Sequence, residues 1–237
     1  MGGSTSLRQE EEEPRTPTTP QGPSGARKST RRFPSFQHVN TLAVMIVLSA
    51  SGLVALEDLA FFVLSLGYIY FLSSFAFPAR SREPEPLVFG EENRALALYV
   101  LAGGALGLLF PIAFILDGVL GGDKEGIEPA AAHLFLLSSQ VFMEGVAFAG
   151  AFSLPIRAFV PISYNTRRLF TIADWLRAEL RKAEGASPRG SLLRLRAGRS
   201  LAAANLIFWS FNLFGFLLPV FLPRALQRYY GKQAKSA

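Results

Sequence analysis

The sequence predicts an all-α integral membrane protein with about five transmembrane helices and one cytoplasmic interfacial amphipathic helix. Half of its 237 residues are hydrophobic and 18% are charged, whereas about a quarter of the residues in a soluble domain are charged. The charges are also segregated. No Lys or Arg occurs from Phe33 to Ala79, and Lys124 is the only one from Ala95 to Ile156. Long uncharged apolar runs of this kind disfavour soluble, fibrous and wholly disordered proteins.

Residues 1–37 differ in composition from the rest of the chain. They contain the acidic run Glu10–Glu13 and several prolines among Ser, Thr and Gly. Such a segment buries too little apolar surface to offset chain entropy, so it is predicted to be a disordered tail. The tail has no apolar h-region, and its acidic run argues against a transit peptide. We therefore expect a secretory-pathway membrane rather than a chloroplast membrane.

Five apolar blocks follow, each long enough to cross a bilayer once as a helix, because a helix rises about 1.5 Å per residue and the hydrocarbon core is about 30 Å thick. The predicted spans are residues 39–56, 59–77, 95–116, 130–152 and 200–222. Glu57 and Asp58 are predicted to form a hairpin turn between the first two spans, and Pro129 is expected in the first turn of the fourth. Residues 38–223 thus form the predicted helical membrane domain, followed by a basic C-terminal tail, residues 224–237.

The distribution of Lys and Arg predicts the orientation. Six precede the first span, none lies in the first turn, three lie in residues 78–94, one in 117–129 and ten in 153–199. This alternation places the N-terminus and both basic links in the cytoplasm. The C-terminal tail, with four basic residues, breaks the pattern because five spans would put it outside. Either that tail is tolerated there, or the fifth block is re-entrant or split at Pro219 and Pro223.

Residues 166–182 form the predicted amphipathic helix, with Asn165 as its N-cap. Apolar residues recur at helical spacing along one narrow face, and basic residues occupy much of the rest. This pattern is typical of a helix that lies in the cytoplasmic interface and attracts anionic lipid. It also suits a helix that packs against the cytoplasmic ends of the spans. The predicted lipid or partner surface consists of Arg167, Arg168, Trp175, Arg177, Arg181 and Lys182.

Glu144 is the only charged residue inside the five blocks, where a carboxylate costs about 3 kcal/mol on insertion scales. His133, Gln140 and Glu144 fall within about 40° on one helical face, and Asn205 and Asn212 share a face of the fifth block. We call these five residues the polar seam and expect it between spans four and five. The seam is either a proton or cation relay or an interhelical hydrogen-bond cluster with a neutral Glu144. No basic residue in another span pairs with Glu144 in the predicted topology.

Several kinds of chemistry are disfavoured. The chain has no Cys and only two His, and it lacks the motifs of nucleotide-binding loops, zinc proteases and serine hydrolases. The loop from Asp117 to Glu128 has the length of a calcium EF-hand, but Val119 and Gly121 occupy ligand positions. We predict no catalytic residue, no metal and no cofactor. The basic residues flank apolar blocks, so nucleic acid is not an expected partner.

Three stretches resemble a known family. They are Asn40–Phe61, Gly122–Phe148 and Phe152–Leu180, and they are similar to a plant family of multi-pass membrane proteins defined only as a domain of unknown function. The resemblance covers residues 35–225. It implies a plant source and a membrane setting, and it implies no activity, cofactor or catalytic residue.

Two functional hypotheses result. The first is a non-enzymatic scaffold or accessory subunit that binds a protein partner or anionic lipid through its basic cytoplasmic link. The second is a small proton- or cation-coupled transporter or channel subunit that uses the polar seam around Glu144. The predicted partners are the lipid bilayer, anionic lipid, and a membrane protein or a second copy of the chain.

Overall fold

A computed structural model describes Gly2 and residues 36–79, 94–149, 152–182 and 189–236, and the predicted tail lies almost wholly outside these ranges. In the described ranges the chain is helical and contains no strand, which confirms the all-α class. The helices are α1 (Phe36–Ala50), α2 (Leu56–Phe75), α3 (Arg94–Gly104, the π-helical Ala105–Leu109, and Phe110–Leu120), α4 (Lys124–Ala149), α5 (Leu154–Arg181) and α6 (Arg189–Ser210, the π-helical Phe211–Phe221, and Leu222–Ser236).

Among the described residues, four helices are long and apolar enough to cross a membrane. They lie in α2, α3, α4 and α6, over Leu56–Phe75, Ala97–Leu120, Gly126–Ala147 and Leu192–Gly231, and they overlap predicted blocks two to five. The first block is different. Helix α1 has 15 residues, a length of about 22 Å, and is therefore shorter than the hydrocarbon core.

The turn between α1 and α2 is not where the sequence predicted it. It comprises residues 51–55, and Gly52 has a φ of 74°, a left-handed conformation that favours glycine and ends a helix. Glu57 and Asp58 instead lie in the first turn of α2. Carboxylates are favourable there because the N-terminus of a helix carries a partial positive charge.

Helix α4 begins earlier than predicted. The backbone N–H of Gly126 donates to Oδ1 of Asp123 at 2.9 Å, which caps a helix that starts at Lys124. Pro129 therefore lies inside the helix and not in its first turn. The acidic loop is reduced to residues 121–123.

One end of the bundle is held by basic side chains of α6. Arg194 forms ion pairs with Asp117 at 3.4 Å and with Asp123 at 3.3 Å. Arg199 donates from Nε to the carbonyl of Glu179 at 3.0 Å. We call this the Arg194 end. Here α3 and α5 finish, and α4 and α6 begin.

At the opposite end, α2 and the last turns of α6 meet the beginning of α5. The hydroxyl of Ser153 donates to the carbonyl of Phe77 at 2.7 Å, and the hydroxyl of Tyr229 donates to the carbonyl of Pro78 at 3.3 Å. Ala225 is buried against Leu154. We call this the Tyr229 end. The residues predicted to form a separate C-terminal tail thus continue α6 as helix.

These contacts correct the predicted topology. Helices α4 and α6 both run from the Arg194 end to the Tyr229 end, so α5 returns between them over the length of the bundle. Residues 153–199 are therefore not one link on one side. Pro78 lies at the Tyr229 end and Lys182 at the Arg194 end, where Arg199 donates to the Lys182 carbonyl. The predicted link of residues 153–199 therefore reaches both ends of the bundle instead of one, and the cytoplasmic side stays a prediction.

The core lies around α4 and α5. Residues 130–140 of α4 are all buried, and α4 contacts α1, α2, α3 and α5. Many large apolar side chains on α2, α3 and α6 are exposed instead. The bundle therefore has a partly polar interior and an apolar exterior.

Candidate functional site

The centre of the candidate site is the π-helical turn of α3. Such a turn lacks the regular hydrogen bonds of an α-helix, and two of its carbonyls accept side-chain donors. His133 donates from Nε2 to the carbonyl of Gly107 at 3.1 Å. Asn205 donates from Nδ2 to the carbonyl of Leu106 at 2.9 Å. Two residues of the polar seam therefore bind the same backbone segment, from α4 and from α6.

His133 is fully buried between two indole rings. The centroids of Trp175 and Trp209 lie 6.2 and 6.4 Å from the centroid of its ring. Its Nδ1 atom has no hydrogen-bond partner. Trp209 donates from Nε1 to Oδ1 of Asn205 at 3.1 Å. The two tryptophans therefore enclose the imidazole on two sides.

Asn212, the fifth member of the polar seam, also turns to α3. It accepts a hydrogen bond from the hydroxyl of Tyr99 at 2.7 Å. Within the described part of the chain, no hydrogen bond joins the seam residues of α4 directly to Asn205 or Asn212. The seam expected between spans four and five is thus organised by α3, which makes hydrogen bonds with both α4 and α6.

Arg168 of α5 is the residue that the sequence placed wrongly. Predicted on the lipid or partner surface, it is fully buried, and its guanidinium lies 3.8 Å from the ring centroid of Trp209. Its Nη2 donates to Oδ1 of Asn165 at 2.9 Å, and Asn165 in turn donates to the carbonyl of Trp209. Nε and Nη1 of Arg168 have no partner.

Trp175, also predicted on that surface, is fully buried as well. The reason is a rotation of the helix: α5 turns a stripe of mixed polarity inward instead of its most apolar face. The buried positions of this stripe are Asn165, Arg168, Thr171, Ile172, Trp175 and Glu179. These residues are three or four positions apart, which is visible in the sequence. A search for a helical face that counts only apolar residues does not find this face, because several of its members are polar.

This rotation brings a basic residue into the neighbourhood of Glu144. The carboxylate of Glu144 and the guanidinium of Arg168 interact electrostatically, although they form no ion pair within 4.0 Å. Oε1 of Glu144 accepts a hydrogen bond from Nε2 of Gln140 at 2.8 Å. The carboxyl group of Glu144 is therefore held by an amide of its own helix and lies within electrostatic range of the Arg168 guanidinium.

A cavity of about 480 Å³ opens beside this carboxylate, within the size range of small-molecule sites. Its polar lining includes Gln140 and Glu144, and Oε1 of Gln140 is buried without a partner. The lining residues are Asn40, Thr41, Tyr99, Val100, Gly103, Gly104, Leu108, Leu137, Ser138, Gln140, Val141, Glu144, Phe208 and Trp209. Arg168 is not among them and lies against the Trp209 ring.

The rest of the predicted lipid or partner surface is divided. Arg167 forms ion pairs with Asp58 at 2.8 Å and with Glu57 at 3.3 Å, so it ties α5 to α2. Lys182 pairs with the buried Glu179 at 2.7 Å. Arg177 and Arg181 remain exposed. Of the predicted surface, these two residues are the exposed ones, whereas Arg167 and Lys182 are half-buried and Arg168 and Trp175 are buried.

The fold and the site thus define an all-helical protein with four membrane-length apolar helices and a polar interior; its described residues include no group of three or more His, Asp or Glu that could hold a metal ion. The model of a family described as a domain of unknown function, DUF7733, matches residues 34–230, and the chain belongs to this family. No curated protein and no solved structure matches the chain. The predicted relation to a domain of unknown function is confirmed. The plant source and the compartment stay predictions.

Proposed function

We propose that the chain is an integral membrane protein in which α2, α3, α4 and α6 cross the bilayer. Large apolar side chains such as Leu64, Leu101 and Phe214 are exposed, whereas His133 and Arg168 are buried. Apolar surface exposed to water costs about 25 cal/mol per Å², and a bilayer removes that cost. Since α4 and α6 run in the same direction, α5 crosses between them in this arrangement, with its buried charges turned away from lipid.

Within the membrane, the chain acts as a small proton- or cation-coupled transporter or channel subunit and not as an enzyme. The observation that supports this proposal is Glu144, which lines the cavity and lies within electrostatic range of the buried Arg168. An acidic residue at membrane depth is expensive and marks ion or substrate pathways. The alternative of a purely structural hydrogen-bond cluster leaves the cavity and the unpartnered Gln140 oxygen without a role.

The test is ion flux through the full chain reconstituted in liposomes. Glu144→Gln removes the carboxylate but keeps its shape, and we expect it to abolish a pH-dependent or cation-dependent flux without lowering the amount of folded protein. Glu128→Gln is the matched control, because Glu128 lies on the same helix and is exposed. If Glu144→Gln retains full flux, or loses flux only in proportion to folded protein, the transport function is wrong.

A second candidate is supported by the exposed face of α5. Phe170, with 64% of its surface exposed, and Leu180, with 58%, flank the exposed Arg177 and Arg181. An apolar and basic surface of this type suits anionic lipid or a protein partner. This is the scaffold or accessory-subunit hypothesis, now limited to the part of the basic helix that is not engaged inside the bundle.

The scaffold hypothesis is tested by native mass and by charge reversal. It predicts a discrete large complex when the tagged protein is extracted in mild detergent, and loss of that complex or of anionic lipid on Arg177→Glu with Arg181→Glu. The hypothesis would be contradicted by a monomer or small homo-oligomer whose native mass and lipid binding do not change on charge reversal. Arg167 and Arg168 are unsuitable for this test because their side chains are bound within the protein.

A further inference from the structure

The polar lining of the cavity beside Glu144 includes hydrogen-bond acceptors of Gln140 and Glu144. The amide N–H₂ group of Gln140 is directed to Oε1 of Glu144, which leaves Oε1 of Gln140 buried and without a donor. The hydroxyl of Tyr99 donates to Asn212. A buried acceptor without a donor is costly, so the cavity is suited to a ligand that brings N–H donors.

Aromatic rings form one wall of the cavity. Tyr99 and Phe208 stack with centroids 5.1 Å apart, and Phe208 meets Trp209 edge to face, with an interplanar angle of 90°. Aromatic faces attract cations through their quadrupole, most strongly when water is excluded. Trp209 already makes such a contact with the Arg168 guanidinium, outside the cavity lining.

The charge and size of the cavity select between kinds of cation. Glu144 is the single carboxylate in its lining, and most other lining groups are apolar or aromatic. A bare Ca²⁺ or Mg²⁺ ion needs about six or more oxygen ligands at short distance, whereas this lining has a single carboxylate. A cation with its own carbon skeleton would satisfy both the carboxylate and the apolar wall.

We propose that the cavity binds a small organic amine in its protonated form. The ammonium group donates to the carboxylate of Glu144 and to Oε1 of Gln140, and the apolar part of the amine packs against Phe208 and Trp209. This inference names the substrate class of the proposed transport function and rests on it, but binding is measured separately from flux.

The experiment is calorimetric titration of the full chain in lipid nanodiscs with phenethylammonium, and with 2-phenylethanol as the neutral ligand of similar shape. We expect the amine to bind at least about tenfold more tightly than the alcohol, which is the scale of a charge-assisted hydrogen bond. Glu144→Gln should remove this preference while leaving the affinity for the alcohol unchanged. Glu128→Gln should change neither affinity.

Equal affinities for amine and alcohol in the native chain would overturn the proposal, as would an amine preference that survives Glu144→Gln. Phe208→Leu gives an independent test if Glu144→Gln does not fold. It keeps an apolar wall but removes a ring, and we expect the amine affinity to fall about fivefold relative to the alcohol. An unchanged ratio for this variant contradicts the proposed site.

The binding experiment and the flux experiment can each contradict one proposal without contradicting the other. Amine binding that depends on Glu144, without any flux, would support the site and reject transport. Proton or cation flux that depends on Glu144, without an amine preference, would support transport and reject the amine. The two proposals are therefore separable with the same variants.

Discussion

Helices α2 and α4 are both apolar and long enough to cross a membrane, yet they occupy opposite environments. Only 17% of the apolar window of α2 is buried inside the protein, compared with 72% of that of α4. Helix α2 exposes Leu64, Phe71 and Phe75, whereas α4 buries His133 and Ser139. Composition thus identifies a candidate span, but the neighbours decide whether it faces lipid or protein.

The two π-helical segments also differ in their surroundings. In α3 the irregular turn is satisfied by side chains of other helices, since His133 and Asn205 bind its carbonyls. In α6 the irregular segment contains Pro219, which has no backbone N–H and disturbs the hydrogen bonds of its own helix. The π-helical turn of α3 is therefore part of the candidate site, whereas the π-helical segment of α6 is explained by the proline in its own sequence.

The largest expected difference between α2 and α4 comes from truncating a phenylalanine in each. Phe135 of α4 is fully buried, and Phe71 of α2 has 52% of its surface exposed. Phe135→Ala leaves a cavity in the core and should cost about 3–5 kcal/mol in the free energy of unfolding. Phe71→Ala should cost less than about 1 kcal/mol, because its ring has few protein contacts to lose.

Unfolding in detergent micelles, followed by tryptophan fluorescence, would measure both changes. Similar losses for the two variants would contradict the assignment of α4 to the interior and α2 to the exterior. Phe135→Leu provides a milder control. It keeps most of the volume and should recover much of the lost stability.

The sequence predicted the outlines of the apolar helices but missed where some of them begin and end. Uncharged runs locate α2 and α3 well, because length and hydropathy suffice for them, whereas the predicted block 200–222 covers only the middle of α6, which runs from Arg189 to Ser236. The start of α4 was missed because Lys124 and Glu125 were assigned to a loop, although Asp123 was a recognisable N-cap. The end of α1 was also readable, since Gly52 favours the left-handed conformation that stops a helix.

The site was predictable only within single helices. The spacing of His133, Gln140 and Glu144 correctly placed the three on one face of α4. Nothing local could place Arg168 beside them, because a basic residue on an amphipathic helix is normally solvated. Its burial depends on α5 crossing the bundle and on the ring of Trp209, which is a long-range arrangement. The partners of Asn205 and Asn212 on α3 are long-range in the same sense.

A smaller effect is expected from adding a methyl group to a glycine inside the bundle and to one on its surface. A Cβ at Gly107 would lie 2.7 Å from Cζ2 of Trp209 and 3.0 Å from Cδ2 of Leu137, whereas a Cβ at Gly67 on α2 would have no atom within 4 Å. Gly107→Ala should therefore destabilise the protein by about 1–3 kcal/mol through overpacking. Gly67→Ala should be neutral or stabilise it by about 0.4–1 kcal/mol.

The same unfolding assay applies to this glycine pair, together with the fluorescence of Trp209. A Gly107→Ala protein as stable as the native chain, with an unchanged tryptophan spectrum, would show that α3 and α6 do not approach as closely as the contact at Gly107 requires. A destabilised Gly67→Ala would show that the outer face of α2 is covered by another element or by a partner.

The smallest expected effect concerns the hydroxyl that α2 turns inward. Ser65 is buried and lies 2.6 Å from the hydroxyl of Tyr164 on α5. Ser73 is bonded only to the carbonyl of Tyr70 on its own helix and is exposed. Ser65→Ala should cost about 0.6–1.5 kcal/mol, the range for polar contacts between helices. Ser73→Ala should change the free energy of unfolding by less than about 0.5 kcal/mol.

A double-mutant cycle with Tyr164→Phe separates this hydrogen bond from the packing around it. If the bond accounts for the loss, Ser65→Ala should cost little in the Tyr164→Phe background, and the coupling energy should approach the full cost of Ser65→Ala alone. Additive losses would mean that the two hydroxyls act independently. In that case the polar connection between α2 and α5 would rest mainly on Arg167 and its carboxylates, in addition to the ring contacts of Phe61 with Tyr164 and of Tyr68 with Phe159.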